Sequence, residues 1–219
     1  MPQQIGAELI YSFVIVVCSL MVYYATKEMY ELSSYKGIKY FRNSFLFFAV
    51  AYFFRYSIQF FLVLFNMKDV FEFPPLYIGW ISFFIFLYAS SMAIFYLLYS
   101  VMWKKWNHST SKLILFNVLA LLIALTGSII RNPLIPIIIN IILLVFISLV
   151  LIIAYNDSKD KKKNNGLLII YLLLFVFWIL NVVDILIPRF LQIYQLAIYL
   201  ISILLFMIIL YKVLKKAGN

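Results

Sequence analysis

Residues 134–155 read LIPIIINIILLVFISLVLIIAY, a run without one charged side chain from Leu134 to Tyr155. Wound as an α-helix at 1.5 Å per residue it is roughly 30 Å long, the thickness of a bilayer's hydrocarbon core. Arg131-Asn132-Pro133 closes it on one side and the almost wholly polar stretch Asn156 to Asn165 on the other. Proline disfavours helix in the residue before it, and a polar run has no place in hydrocarbon, so both flanks end a span. Working outward, further apolar runs bounded by charges or prolines place spans near 5–26, 39–66, 75–102, 112–130, 166–188 and 192–213. The separators are Lys27 to Lys36, Asn66 to Pro75, Met102 to Lys112 and Pro188-Arg189. The fold class is all-α: one polytopic domain over residues 1–219 with seven transmembrane helices.

Composition agrees. Hydrophobic residues make up 66% and charged residues 12%, with mean hydropathy +1.05, whereas soluble chains run near half apolar and a quarter charged. Seven spans consume roughly 140 residues and leave roughly 80 for every loop and both ends. No soluble catalytic, DNA-binding or kinase domain fits. Cys18 is the single cysteine and His108 the single histidine, which excludes an internal disulfide framework and any site built from several imidazoles.

Orientation follows from lysine and arginine, which collect in cytoplasmic loops. One set of alternate separators holds Lys27, Lys36, Lys39 and Arg42, then Lys104, Lys105 and Lys112, then Lys159, Lys161, Lys162 and Lys163, and lastly Lys212, Lys215 and Lys216. The other holds Lys68, Arg131 and Arg189. The amino end is therefore expected outside and the carboxyl end inside. Residues 1–7 lack the basic region of a secretory signal, so the first span reads as a retained helix. The net charge of +10 is mostly this asymmetry and carries no nucleic-acid footprint. Tyr23, Tyr24, Tyr30, Tyr35, Tyr40, Trp103 and Trp106 fall near the inner boundary, as interfacial anchors do. Ala89 and Ala93, with Ser90 and Ser91 between them, suit close helix approach.

Several seven-helix machines fail on residues. Retinal needs a lysine in the seventh helix, and none lies from Gln192 to Tyr211. Animal-type receptor motifs are absent at Met102-Trp103-Lys104 and from Leu191 to Tyr211. Zinc hydrolases and intramembrane serine proteases need histidines that a lone loop His108 cannot supply. Sugar transporters of the three-plus-one-plus-three kind show a repeated half, which is missing here.

Ionisable groups inside a bilayer are costly and face the bundle interior, so each is a candidate site. Arg55 lies midway between Arg42 and Lys68, near the expected midplane, and shares a face with Tyr52 and Gln59. Its counter-charge is Asp184, the carboxylate well inside the sixth span, with Asn181 on the same face. Asp184 is only about 8 Å along the helix from Arg189, which predicts an axial offset from Arg55 of about 10 Å, bridged directly or through Gln59, Asn181 or water. Glu8 with Tyr11 and Ser12 in the first span, and Gln195 and Tyr199 in the seventh, are expected to complete an outward-opening polar pocket. Arg55 and Asp184 serve either as a buried lock on helix register or as a ligand, ion or proton site. Asn117 and Asn140 read as interhelical hydrogen-bonding groups, and Cys18 as a small buried side chain.

The amino-end-out helix, the basic turn Lys27 to Gly37 and the second span written Tyr40-Phe41-Arg42-Asn43 then Phe45-Leu46-Phe47-Phe48 resemble the seven-helix sensor module at the amino end of some prokaryotic sensor histidine kinases. The resemblance covers the whole chain and implies membrane signal reception. Only Val213 to Asn219 follow Lys212, so no output domain is expected and such a module would signal through a partner. The expected function is a receptor-like or sensor-like module in a prokaryotic plasma membrane. Ile, Lys, Asn and Tyr usage points to an A/T-rich genome. The alternatives are a small transporter or channel using Arg55 and Asp184, and a structural subunit of a membrane complex. Expected partners are the lipid bilayer, a small ligand, and a cytoplasmic output protein or membrane subunit. No enzymatic activity, cofactor, metal or nucleic acid is expected.

Overall fold

A computed structural model describes residues 2–64, 75–106, 110–130, 132, 134–161, 165–187 and 192–217. These fold as seven α-helices: α1 (Pro2–Ser33), α2 (Lys36–Leu64), α3 (Pro75–Met102), α4 (Thr110–Ile129), α5 (Leu134–Lys161), α6 (Asn165–Leu186) and α7 (Gln192–Ala217). Six are long and apolar enough to cross a membrane. α2, of which only the amino-terminal part has described side chains, is 29 residues long and carries Lys36, Lys39, Arg42 and Arg55. His108 and the cations Lys68, Arg131 and Arg189 lie outside the described residues.

Two helices outrun their apolar spans. α1 continues through the charged stretch to Ser33, and α5 continues to Lys161. A helix satisfies its own backbone in water as in lipid, so the apolar run fixes where it must be helical and not where it stops. What stops α1 is Ser34, at φ 51°. Its N–H donates to the Tyr30 carbonyl at 2.8 Å and closes the last turn. The turn into α2 is correspondingly tight, with the Ile38 N–H donating to the Tyr35 carbonyl at 2.9 Å.

α1 packs between α2 and α7, α2 against α3, α3 against α5, α5 against α6, and α6 against α7. Six helices thus close a ring, and α4 lies outside it on α3, with a smaller contact to α5. Burial is greatest in α3, which contacts α2, α4 and α5: 61% of its apolar window is buried, against 28% for α4 and for α5. Gly127 lets α4 sit close, since a β-carbon there would come within 2.8 Å of Leu87 and Ile139. Tyr88 donates to Asn117 Oδ1 at 2.8 Å, joining α3 to α4, and Trp80 Nε1 donates to the Ser128 carbonyl.

The exposed faces are apolar. On α5, Ile138, Ile141, Ile142, Val145, Leu149 and Ile152 are all exposed, at the three- and four-residue spacing of one helix face. So large an apolar surface belongs against lipid, and the protein is a multi-pass integral membrane protein. Inside the helices, Thr26, Ser44, Ser100, Ser128 and Ser148 donate their hydroxyl hydrogens to carbonyls three or four residues back. This spares apolar surroundings an unsatisfied donor.

Across the ring, α2 and α6 have no close backbone contact among the described residues. Long side chains fill the gap. Phe45 and Phe48 of α2 meet Phe177 of α6 and Phe206 of α7, with ring centroids 4.6 Å apart for Phe177–Phe206 and 6.5 Å for Phe48–Phe177. All four rings are fully buried. This aromatic partition divides the ring interior. Toward the helix ends that hold Lys36, Lys104 and Lys216, here the basic end, lies a cavity of about 630 Å³. Toward the far end lies one of about 290 Å³.

Candidate polar site at the far end

α2 and α6 each present two polar residues three apart, so both pairs project from one face. Tyr52 donates its hydroxyl to Asn181 Oδ1 at 2.7 Å. Arg55 donates Nη1 to the same oxygen at 2.9 Å and Nη2 to Asp184 Oδ2 at 3.0 Å. Asn181 Nδ2 donates to the carbonyl of Phe177 at 3.0 Å, so its amide orientation is set by donors on one side and an acceptor on the other. Residue 52 pairs with 181 and 55 with 184, in the same order, which requires α2 and α6 to run in the same direction.

This register corrects the expected axial offset of about 10 Å between Arg55 and Asp184. The guanidinium and carboxylate are level and in direct contact. Depth counted from rim residues assumes helices that end at equal heights. α2 runs on to Leu64, nine residues past Arg55, whereas α6 ends at Leu186, two residues past Asp184.

α1 and α7 complete the cluster from behind. Tyr11 donates to the Tyr52 hydroxyl at 3.3 Å, and Ser12 Oγ donates to the Tyr52 carbonyl at 2.6 Å. Tyr199 stacks on Tyr11 with ring centroids 4.7 Å apart. Tyr11, Tyr52, Asn181, Asp184 and Tyr199 are all buried. Arg55 retains 16% side-chain exposure, which decides its role: it is the charged group of the cluster that still reaches open space.

That space is the far cavity. Arg55 and Tyr52 form one wall, Asn181 and Trp178 another, and Phe86 and Asn140 a third. The guanidinium carbon stands 5.5 Å from the Phe86 ring centroid. Asn140 donates its amide to the Pro136 carbonyl and accepts Trp178 Nε1 at its own carbonyl, so it is tied mainly through backbone. Glu8, Gln195 and Tyr199, expected to complete the pocket, are not among the walls of this cavity. Glu8 and Gln195 are half-buried one turn beyond Tyr11 and Tyr199, on the α1–α7 side, whereas α3 and α5 wall the cavity. The Gln59 side chain lies outside the described residues.

Sequence reasoning missed the α3 wall. Its signal was present: Ser82, Phe86 and Ser90 recur every four residues on one helix face. At about 290 Å³ the cavity is near the lower limit for small-molecule sites. Its chemistry is that of recognition, a planar five-donor cation set among aromatic rings and amides. Among the described residues no three His, Cys, Asp or Glu side chains gather as metal ligands would.

No family model and no solved structure matches this chain. It is 33% identical to an uncharacterized protein of Archaeoglobus fulgidus, in an alignment covering 97% of this chain and 93% of the relative. Identity at that level over nearly the full length of both places this multi-pass membrane protein in one family with the archaeal protein.

Proposed function

We propose that the chain is a receptor-like, seven-span membrane module of a prokaryotic plasma membrane, amino end outside, whose far cavity receives a small hydrogen-bond-accepting ligand and whose basic end is read by a partner. One observation carries the reading. The groups that clamp α2 to α6, namely Tyr52, Arg55 and Asn181, are also walls of the cavity. An acceptor placed there competes with Asn181 and Asp184 for the Arg55 donors. It thereby alters a polar connection between two helices that lack close backbone contact among the described residues. A ligand shifts such an equilibrium only by its differential affinity for the two clamp states. The concentration of basic residues in alternate separators supports this orientation, and the protein has no enzymatic role in this reading.

Gentle purification followed by mass spectrometry of bound small molecules tests it. Wild type should carry a compound that Arg55→Lys loses while remaining folded, because lysine keeps the charge and lacks the planar fork. Equal occupancy in both would sink the ligand site. Reporters fused after Asn219 should be cytoplasmic and those at Met1 exported. A second reading, a transporter, draws on the two cavities at opposite ends of one ring with an aromatic partition between them. Substrate flux in proteoliposomes would favour it.

A further inference from the structure

The larger cavity, at the basic end, has its own chemistry. All six ring helices line it: Thr26 of α1, Phe41 of α2, Ser100 of α3, Ser158 of α5, Tyr171 of α6 and Lys216 of α7 are examples, with Lys104 just past the end of α3. α4, outside the ring, contributes nothing to it. Two ammonium groups, Lys104 and Lys216, thus border one space. Asp157 is the acidic side chain among its described walls, and Lys105 engages it at 3.6 Å. With two ammonium groups and one carboxylate, the described walls carry a positive excess that suits an anion.

Lys104 is also positioned. Its Nζ stands 5.2 Å from the Tyr35 ring centroid and 5.7 Å from that of Trp103, and the two rings meet edge to face at 4.8 Å. Gly37 makes this corner, since a β-carbon there would come within 2.5 Å of Tyr35 and 2.8 Å of Trp103.

The hydroxyls add a second requirement. Ser100 donates to the Leu97 carbonyl at 2.7 Å, so at its 3.2 Å contact with Tyr171 it can only accept. Tyr171 is then the donor, and its oxygen lone pairs remain. Ser33, Thr26 and Ser158 likewise donate to carbonyls of their own helices. The hydroxyls of Thr26, Ser33, Ser100, Ser158 and Tyr171 therefore present acceptor oxygens to the cavity, beside its cations and the Tyr35 hydroxyl. An occupant must bring negative charge for the lysines and donors for the oxygens. An ammonium donor would meet repulsion from both lysines, whereas hydroxyl groups would not. The remaining walls, including Phe41, Leu168, Ile170 and Val213, are apolar and suit a hydrocarbon chain.

We propose that the cavity at the basic end binds the headgroup of an anionic lipid whose phosphate carries a hydroxylated substituent of the glycerol-phosphate or inositol-phosphate kind.

Native mass spectrometry of protein titrated with phosphatidylglycerol in mixed micelles tests this. Lys104→Gln and Lys216→Gln should each weaken retention about fivefold, the worth of one basic residue at a membrane surface. The controls Lys159→Gln and Lys215→Gln, each removing one charge at an exposed position outside the cavity, should each stay within about twofold of wild type. Tyr171→Phe keeps the fold-supporting ring and removes the acceptor. It should erase the preference for phosphatidylglycerol over phosphatidic acid. Wild type should prefer phosphatidylglycerol to phosphatidylethanolamine, and millimolar glycerol phosphate should fail to displace it. Controls as damaging as the cavity lysines would reduce the effect to diffuse surface charge. Displacement by glycerol phosphate would make the ligand a soluble ester, and an unchanged lipid preference in Tyr171→Phe would remove the hydroxyl requirement. Any of these three results overturns the proposal as stated.

Discussion

Arg42 and Arg55 are the same side chain on the same helix, and they are held in opposite ways. Arg55 is fixed by Asn181 and Asp184 of α6 through hydrogen bonds of 2.9 and 3.0 Å. Arg42, near the basic end, lies over the rings of Tyr23 and Tyr30 of α1, with its guanidinium carbon 5.1 and 5.6 Å from their centroids. The difference follows from surroundings. Among buried groups a guanidinium needs a counter-charge and directed acceptors, because leaving it unpaired costs several kcal/mol. Arg42 is half-buried and rests instead on aromatic faces, a contact that contributes about 0.5–1 kcal/mol at exposed sites and more when desolvated. One arginine is a clamp between helices, and the other is an anchor on a neighbour.

Breaking the clamp should produce the largest effect. Arg55→Ala leaves the Asp184 carboxylate buried without its cation and should lower stability by about 3–5 kcal/mol, read as the unfolding midpoint in mixed micelles. Adding Asp184→Asn should recover part of that loss, so the double-mutant cycle should give a coupling of at least about 1 kcal/mol. Strict additivity would mean that the two residues share no interaction. The ligand-site reading adds lost binding in Arg55→Lys, which a purely structural lock does not require.

Asn181→Leu comes next. It removes the oxygen that both Tyr52 and Arg55 use, including a hydrogen bond from a charged donor, and should cost about 2–3 kcal/mol. If Arg55 instead turned wholly to Asp184 the loss would fall below about 1 kcal/mol, and the clamp would rest on the ion pair alone.

Tyr52→Phe keeps the ring contacts with Tyr11 and Phe177 and deletes the hydroxyl. An expected cost of about 1 kcal/mol checks whether the Tyr11–Tyr52–Asn181 chain adds to the clamp or merely accompanies it.

Arg42→Lys should be the mildest, within about 0.5 kcal/mol of wild type, since lysine retains the charge over Tyr23 and Tyr30. A loss comparable to that at Arg55 would erase the distinction between the two arginines.

Much of this protein was legible in the chain alone. Uncharged runs such as residues 134–155 can satisfy their backbone in hydrocarbon only as helices, so number, order and approximate limits of the helices followed from composition. Tyr52, Arg55, Asn181 and Asp184 were also legible, because polar groups spaced three apart in apolar helices must face inward together. Three features needed the tertiary structure. Helix ends beyond the apolar runs are set by local backbone events such as Ser34, which hydropathy does not register. The level meeting of Arg55 and Asp184 depends on how far each helix protrudes, a relation between helices with no trace in either one. The walls of both cavities depend on which helices are neighbours around the ring. Periodicity tells which face of α3 turns inward, whereas packing alone decides that α3 and α5, rather than α1 and α7, stand opposite Arg55.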